Sequence, residues 1–298
     1  MYFVVARIPY RFALLAFLGL STAVFAVVPR SNHVVLVVEE NHSYESVIGN
    51  RAMPFFNQLA SSYGLATGYY ANGHDSIPNY FWLTAGQPIT FNDNTTSTFN
   101  VDNVVRHMLT AAKTWKSYAE SLPFSGYTGF NVYPYVKHHN PLAYFTDVAD
   151  SNVQKLNLVS FHQFAVDVRN GQIPNFSFVA PNLLHDAHDG SLAAADYWLR
   201  QSLAPLLASS AFQPGGDGIL IITFDESFVT DCRPGICETA TKAGGRVATV
   251  IVGPGVKRQF KSGAFYKHQN LLKTIGVALG MSVPGAASGA QPMAEFFK

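Results

Sequence analysis

Two uninterrupted apolar runs stand out in the hydropathy pattern of the chain. Val34 to Val38 is five apolar residues, four of them β-branched, and Ile219 to Phe224 repeats the pattern far downstream. Runs of this length without polar alternation read as strands buried on both faces, as in a mostly parallel sheet. Further strands are predicted at Thr114–Tyr118, Asn175–Ala180 and Arg246–Val252. Gly64 to Tyr70 reads as a loop or a short strand. Helical spacing is found over Met53–Tyr63, with Phe55, Phe56, Leu59 and Ala60 on one face, and again over Val101–Ala112, Phe161–Arg169, Ala193–Ala208 and His268–Leu279. Another helix starts at Ser76, which stands in N-cap position with Pro78 near the first turn. Residues 87–100 are polar and read as a surface loop, while 123–147 are aromatic, aperiodic and read as a functional loop or lid. Alternating strands and helices predict an α/β fold, a three-layer αβα sandwich around a mostly parallel sheet. There is no internal repeat and no interdomain linker, so residues 27–298 are expected to form one domain.

Polar residues gather where the apolar runs stop. Glu39-Glu40-Asn41-His42 follows the first run, Asp225-Glu226 the second, and Pro181 to Gly190 follows the strand ending at Ala180. Open α/β sheets bind their ligands at this C-terminal edge. Two core strands that each deliver carboxylates there point to a divalent-cation site; helix capping is the alternative, since acids also favour first turns. The strand-end set is Glu40, Asn41, Ser76, Asn79, Asp186, His188, Asp189, Asp225 and Glu226, with His268 at a helix start. Carboxylates, imidazoles and an amide oxygen without thiolates suit a hard-to-borderline ion rather than a structural zinc. Beside a cation, a hydroxyl at a helix N-terminus can act as a nucleophile, and the same N-terminus offers N–H groups to a phosphate. The plain alternative for Ser76 is a cap contributing about 1 kcal/mol. No metalloprotease His spacing, Gly-x-Ser-x-Gly elbow or phosphate-binding Gly-rich loop ending in Lys-Ser/Thr occurs.

The 298 residues are 48% hydrophobic and 13% charged, with a net charge of +1 and no Lys/Arg run, which argues against nucleic acid as a main partner. Arg7 and Arg11 precede the apolar run Phe12–Ala26, and Val24-Phe25-Ala26 offers small residues for cleavage after Ala26. This reads as a signal peptide over 1–26, too short for a bilayer span, with an uncleaved anchor as the alternative. The expected product is secreted or periplasmic, with no stable membrane span. Cys232 and Cys237, in a Gly/Pro/Thr-rich stretch of an exported chain, suggest one small-loop disulfide. Asn94-Thr95-Thr96 and Asn175-Phe176-Ser177 match the glycosylation acceptor pattern; Asn41-His42-Ser43 does too, but inside the proposed site.

The ordered motifs carry a resemblance. Glu40-Asn41-His42-Ser43-Tyr44 and His74-Asp75-Ser76-Ile77-Pro78-Asn79-Tyr80, then Lys113 to Tyr118, Lys137-His138-His139-Asn140-Pro141, Pro181-Asn182 to Asp189, Thr223 to Glu226, Gly253 to Lys257 and Tyr266-Lys267-His268, resemble the phosphoesterase family of acid phosphatases and bacterial phospholipases C, within the alkaline phosphatase superfamily. The set runs in order over nearly all the chain beyond the leader. The resemblance implies an alkaline phosphatase-like fold, a phosphate ester substrate and one or two divalent ions. It implies Ser76 as a nucleophile that becomes phosphorylated, Glu40, Asn41, Asp225 and Glu226 as metal ligands, and Asn79 as a holder of a phosphoryl oxygen. His139 and His138 match a histidine facing the phosphate or the leaving group, which His139 or His188 would protonate. Asp186, His188, Asp189 and His268 fall where the superfamily places further ligands, often of a second metal. Position 75 is Asp where related short members often have Pro, and Gly190 stands where Cys is frequent. An acid phosphomonoesterase is the leading expectation. A phospholipase C-type phosphodiesterase is the runner-up, disfavoured because related phospholipases tend to be longer, and a non-catalytic binding protein on the same fold is the third reading.

Overall fold

The computed structural model describes residues 1–4, 26–228 and 243–298. Most of the predicted signal peptide, and both Cys232 and Cys237, lie outside the described residues. The strands are β1 (Val34–Glu39), β2 (Gly64–Ala66), β3 (Trp115–Ala119), β4 (Leu158–Ser160), β5 (Phe176–Ala180), β6 (Ile219–Phe224), β7 (Thr249–Val252) and β8 (Phe260–Ser262). The helices are α1 (Tyr44–Val47), α2 (Pro54–Ser62), α3 (Ser76–Thr84), α4 (Val104–Thr110), α5 (Thr146–Ala149), α6 (His162–Arg169), α7 (Leu192–Ala208) and α8 (His268–Leu279).

One eight-stranded sheet has the order β4-β3-β5-β1-β6-β7-β2-β8. The five strands from β4 to β6 pair parallel; β7 runs antiparallel to both β6 and β2, and β2 and β8 are again parallel. Every residue of β1 and β6 is buried, as their unbroken apolar runs require of strands covered on both faces. Helices α2 and α6 pack against α7, and α3 packs against α8. Glu39 and Glu40 are consecutive, so their side chains leave the sheet on opposite faces. Glu40 meets α3 while Glu39 lies within the field of Asp196 on α7, which puts the two helix groups on opposite sides. The fold is the expected α/β sandwich.

Two loop expectations change. In the 123–147 stretch Phe124, Phe130, Val132 and Tyr133 are exposed, but Tyr135 to Lys137 and His139 to Phe145 are buried, with single helical turns at Lys137–His139 and Pro141–Tyr144. Its second half is core, not lid; aromatic residues without periodicity filled a gap that regular elements leave. The polar 87–100 loop is not wholly at the surface, because Asp93 reaches the N-terminus of α3. Among the described residues no helix is long and apolar enough to cross a membrane.

Helix α2 is capped across the layer. Its own N-cap, Met53, has no side-chain cap, and Pro54 carries no N–H. Asp196, buried on α7, accepts from Phe55 N at 2.9 Å and Phe56 N at 2.8 Å. Asp196→Ala leaves both donors orphaned, so it is expected to destabilise the fold by about 1–3 kcal/mol. The check is a lowered urea midpoint with kcat unchanged.

Candidate active site

Parallel pairing sends the ends of β5, β1 and β6 to one edge of the sheet. The β1–β6 register sets Glu39 beside Phe224, so the next residues, Glu40 and Asp225, emerge as neighbours. Both are fully buried. Backbone bonds fix the crossing: Glu40 N donates to Asp186 O at 2.8 Å and Asp225 N to Glu39 O at 3.0 Å. The strand ends bend sharply, with positive φ at Asn41 (43°), Asp75 (70°) and Ala187 (76°). Non-glycine residues there store roughly 1–3 kcal/mol of strain each, which concentrates at functional sites.

Ser76 is not the N-cap that its sequence suggests. Asp75 occupies that position, and Ser76 is the first residue of α3, buried, with its hydroxyl donating to Glu40 Oε2 at 3.1 Å. The same hydroxyl favours the charged forms of the Asp225 and Glu226 carboxyls, against the larger effect of their burial. A hydroxyl among three carboxylates is more than a helix cap needs. Burial pushes all three carboxyls up: Glu40 and Asp225 well above the usual range, each reinforced by its acidic neighbours, and Glu226 to about 8. Glu226 Oε2 is 2.7 Å from His74 Nδ1, a contact that sequence reading missed because His74 has no apolar run to mark it.

The Asn41 side-chain oxygen stands 2.9 Å from Glu40 Oε2 and 3.2 Å from Asp225 Oδ1, a contact between acceptors only. A rotated amide would satisfy it, and so would a cation between the oxygens. Asp225 Oδ2 is also buried without a partner. Among the described residues no three His, Cys, Asp or Glu side chains stand ready-spaced around an ion. What converges is Glu40, Asn41, Asp225 and Glu226, an all-oxygen donor set that fits a hard divalent cation.

The remaining predicted residues separate by geometry. His139 is buried between Glu40 Oε1 (Nε2, 3.1 Å) and Asp186 Oδ2 (Nδ1, 3.1 Å), and its ring stacks on Tyr80 at 5.2 Å. Burial holds its pKa well below the usual imidazole range, with His188 adding to the effect; Nδ1 pairs with Asp186 Oδ2, and Nε2 faces Glu40 without a hydrogen-bonding alignment. Asp186 is consumed as a brace: one oxygen takes His139, the other accepts from His188 N at 2.8 Å. His138 lies edge-on to His139 with Nδ1 buried and unpartnered, and burial pushes it down to about 3. His188 is the outward member, part-exposed, with Nδ1 held 2.7 Å from Asp189 Oδ1 and its ring 6.3 Å from His139.

Two expectations need correction. Asn79 spends its amide on the loop before Ser76: it accepts from Asn72 N and Gly73 N and donates to Gly73 O and Asp75 O. It shapes the loop that leads into Ser76, and its amide is spent on backbone groups. His268 is no ligand in this arrangement, since Nε2 donates to Asp225 O at 2.7 Å and Nδ1 accepts from Tyr69 at 3.0 Å. It fixes the peptide that carries Asp225. The α3 N-terminus is likewise engaged, because Ile77 N donates to Asp93 Oδ1 at 2.9 Å. Tyr80 and Asp93 are absent from the sequence-derived set: Tyr80, one turn along α3 from Ser76, donates to Glu40 Oε1, and Asp93 accepts from the first turn of that helix.

The sheet order and the buried acids at its strand ends define an α/β sandwich with a polar site at one edge. The chain belongs to the Phosphoesterase family, whose model matches residues 50–282, and so acts on phosphate esters. It is 31% identical over 274 residues to the phosphatidylinositol-3-phosphatase of Mycobacterium tuberculosis, covering 91% of this chain and 85% of the relative. It is 30% identical to an acid phosphatase of Aspergillus fumigatus over 81% of this chain but 53% of the relative, so it spans about half of that fungal protein. A solved structure of an alkaline phosphatase superfamily protein from Vibrio parahaemolyticus superposes with TM-score 0.57 at 13% identity, over 89% of this chain and 71% of its own.

The buried acids make a sign-definite prediction. Asp186, pushed up to about 7 chiefly by burial, and Glu226, pushed up to about 8, keep their protons in the fold after the unfolded chain has released them. Folded carboxyls with raised pKa lose stability as pH rises from the unfolded value, near 4, to the folded one. The unfolding temperature of chelator-treated protein is therefore expected to fall between about pH 4 and about pH 8, and added divalent ion to flatten that fall; scanning calorimetry at several pH values checks it.

Proposed function

We propose that this phosphoesterase is an exported, metal-dependent phosphomonoesterase of the acid phosphatase type, working through a phosphoserine on Ser76. The observation that carries the reading is the Ser76 hydroxyl at the head of α3, bonded to Glu40 and in reach of Asp225 and Glu226. Export rests on the leader pattern of the first 26 residues. The monoester preference is supported by relatives named as phosphatases, including one named for a phosphoinositide monoester.

Glu40, Asn41, Asp225 and Glu226 would hold the cation. Bound there, a hard divalent ion supplies positive charge to a phosphoryl oxygen and to the Ser76 oxyanion. The surrounding carboxylates receive the Ser76 proton as Oγ attacks phosphorus and the ester P–O bond breaks. His188 is the proton donor to the departing alkoxide, because it is part-exposed and carboxylate-oriented whereas His139 is locked between two acids. In the second half, His188 takes a proton from water as that water attacks phosphorus, the P–Oγ bond breaks, and Ser76 recovers its proton. Asn79 and Asp93 keep the nucleophile's loop and helix in place throughout. The arrangement gives a non-catalytic binding role no reason for so costly a cluster of buried acids.

Ser76→Ala is expected to lower kcat by about a thousandfold or more, and chelator to abolish turnover reversibly. In kcat/KM, which reports only the first half-reaction, His188→Ala should cost alkyl phosphates about a hundredfold and p-nitrophenyl phosphate, whose leaving group needs no acid, less than about tenfold. Wild-type turnover by Ser76→Ala would overturn the phosphoserine mechanism; equal losses on both esters would remove His188 from the acid role. Turnover of p-nitrophenylphosphorylcholine in preference to p-nitrophenyl phosphate would favour the diesterase.

A further inference from the structure

The two oxygens of Glu40 are treated differently. Oε2 faces Ser76 Oγ at 3.1 Å and the Asn41 amide at 2.9 Å, on the side of the donor set. Oε1 accepts from Tyr80 Oη at 2.5 Å. His139 Nε2 is as near as 3.1 Å but unaligned, so the phenol is the hydrogen-bond donor that holds Oε1. Tyr80 follows Ser76 by one helical turn, so both hydroxyls leave the same face of α3 and close on one carboxylate. The phenol is fixed from all sides: Tyr80 is 1% exposed, its ring stacks on His139 with planes 15° apart, and Phe178 of β5 lies beside it. Its hydroxyl therefore has no water to turn to.

We infer that Tyr80 is a positioning residue that withholds Glu40 Oε1 from the cation, so that Glu40 offers a single oxygen, Oε2, shared between the ion and the nucleophile. The inference rests on the metal-dependent reading above. A carboxylate restricted to one oxygen suits small ions with strict octahedral geometry, whereas Ca²⁺ accepts bidentate carboxylates and looser shells. Tyr80 is thus a selectivity device as well as a brace. Outer partners of this kind commonly change metal affinity by about 10–100-fold.

The test is calorimetric titration of chelator-stripped full-length protein with Mn²⁺ and with Ca²⁺, comparing wild type with Tyr80→Phe, which keeps ring, packing and stacking. Mn²⁺ affinity is expected to fall about tenfold or more and Ca²⁺ affinity much less, moving the Mn²⁺/Ca²⁺ preference about tenfold toward Ca²⁺. Tyr80→Leu, which removes the stacking too, should show the same change in preference. Affinities for both ions within about twofold of wild type, or equal loss for both, would overturn the positioning role while leaving the metal site intact. A wild-type protein that binds neither ion would overturn this inference together with the metal-dependent reading.

Discussion

Burying Glu40 and Asp225 side by side is the constraint on which the rest of the site depends. Two adjacent carboxylates removed from water repel each other and lose solvation, a combination that costs several kcal/mol unless protons or a cation compensate. The chain meets that cost with geometry it cannot easily relax. The parallel β1–β6 register fixes both backbones, His268 holds the peptide after Asp225, and Asp186 O anchors Glu40 N. Positive φ at Asn41, Asp75 and Ala187 turns three loops inward around the pair. The buried sheet provides the stiffness, since β1 and β6 are covered along their whole length.

That stiffness explains which parts of the site were legible from sequence. Glu40, Asn41, Asp225 and Glu226 directly follow unbroken apolar runs, and strand polarity alone brings such ends together. Ser76 was legible as a helix start next to Pro78, although the cap itself proved to be Asp75, one residue earlier. Asn79 and His268 carried the right motif but the wrong contact. Both spend their polar atoms on backbone groups or a tyrosine hydroxyl whose positions only the folded chain defines. Tyr80 and Asp93 were invisible for the same reason. A tyrosine inside a helix reads as core, and an aspartate in a polar loop reads as solvated, until 2.5 Å and 2.9 Å contacts say otherwise.

The likeness to the Vibrio parahaemolyticus protein, at 13% identity, concerns the sandwich and not the chemistry. Family membership adds the phosphate ester. The 123–147 stretch is tied to the loop after β5 where Leu183 N donates to Pro134 O.

The histidines show how burial divides labour within one small volume. His138, His139 and His268 are pushed down by loss of solvent, so each is a neutral ring whose value is directional: it holds a carboxylate, a neighbouring ring or a peptide oxygen in place. A ring that cannot reach water cannot readily reload a proton between turnovers. His188 keeps an exposed edge and a carboxylate behind Nδ1, which leaves Nε2 the only nitrogen with an outward task. His188 is therefore the most accessible ring of the His138, His139 and His188 group, while His139 of the Lys-His-His motif stands buried beside Glu40.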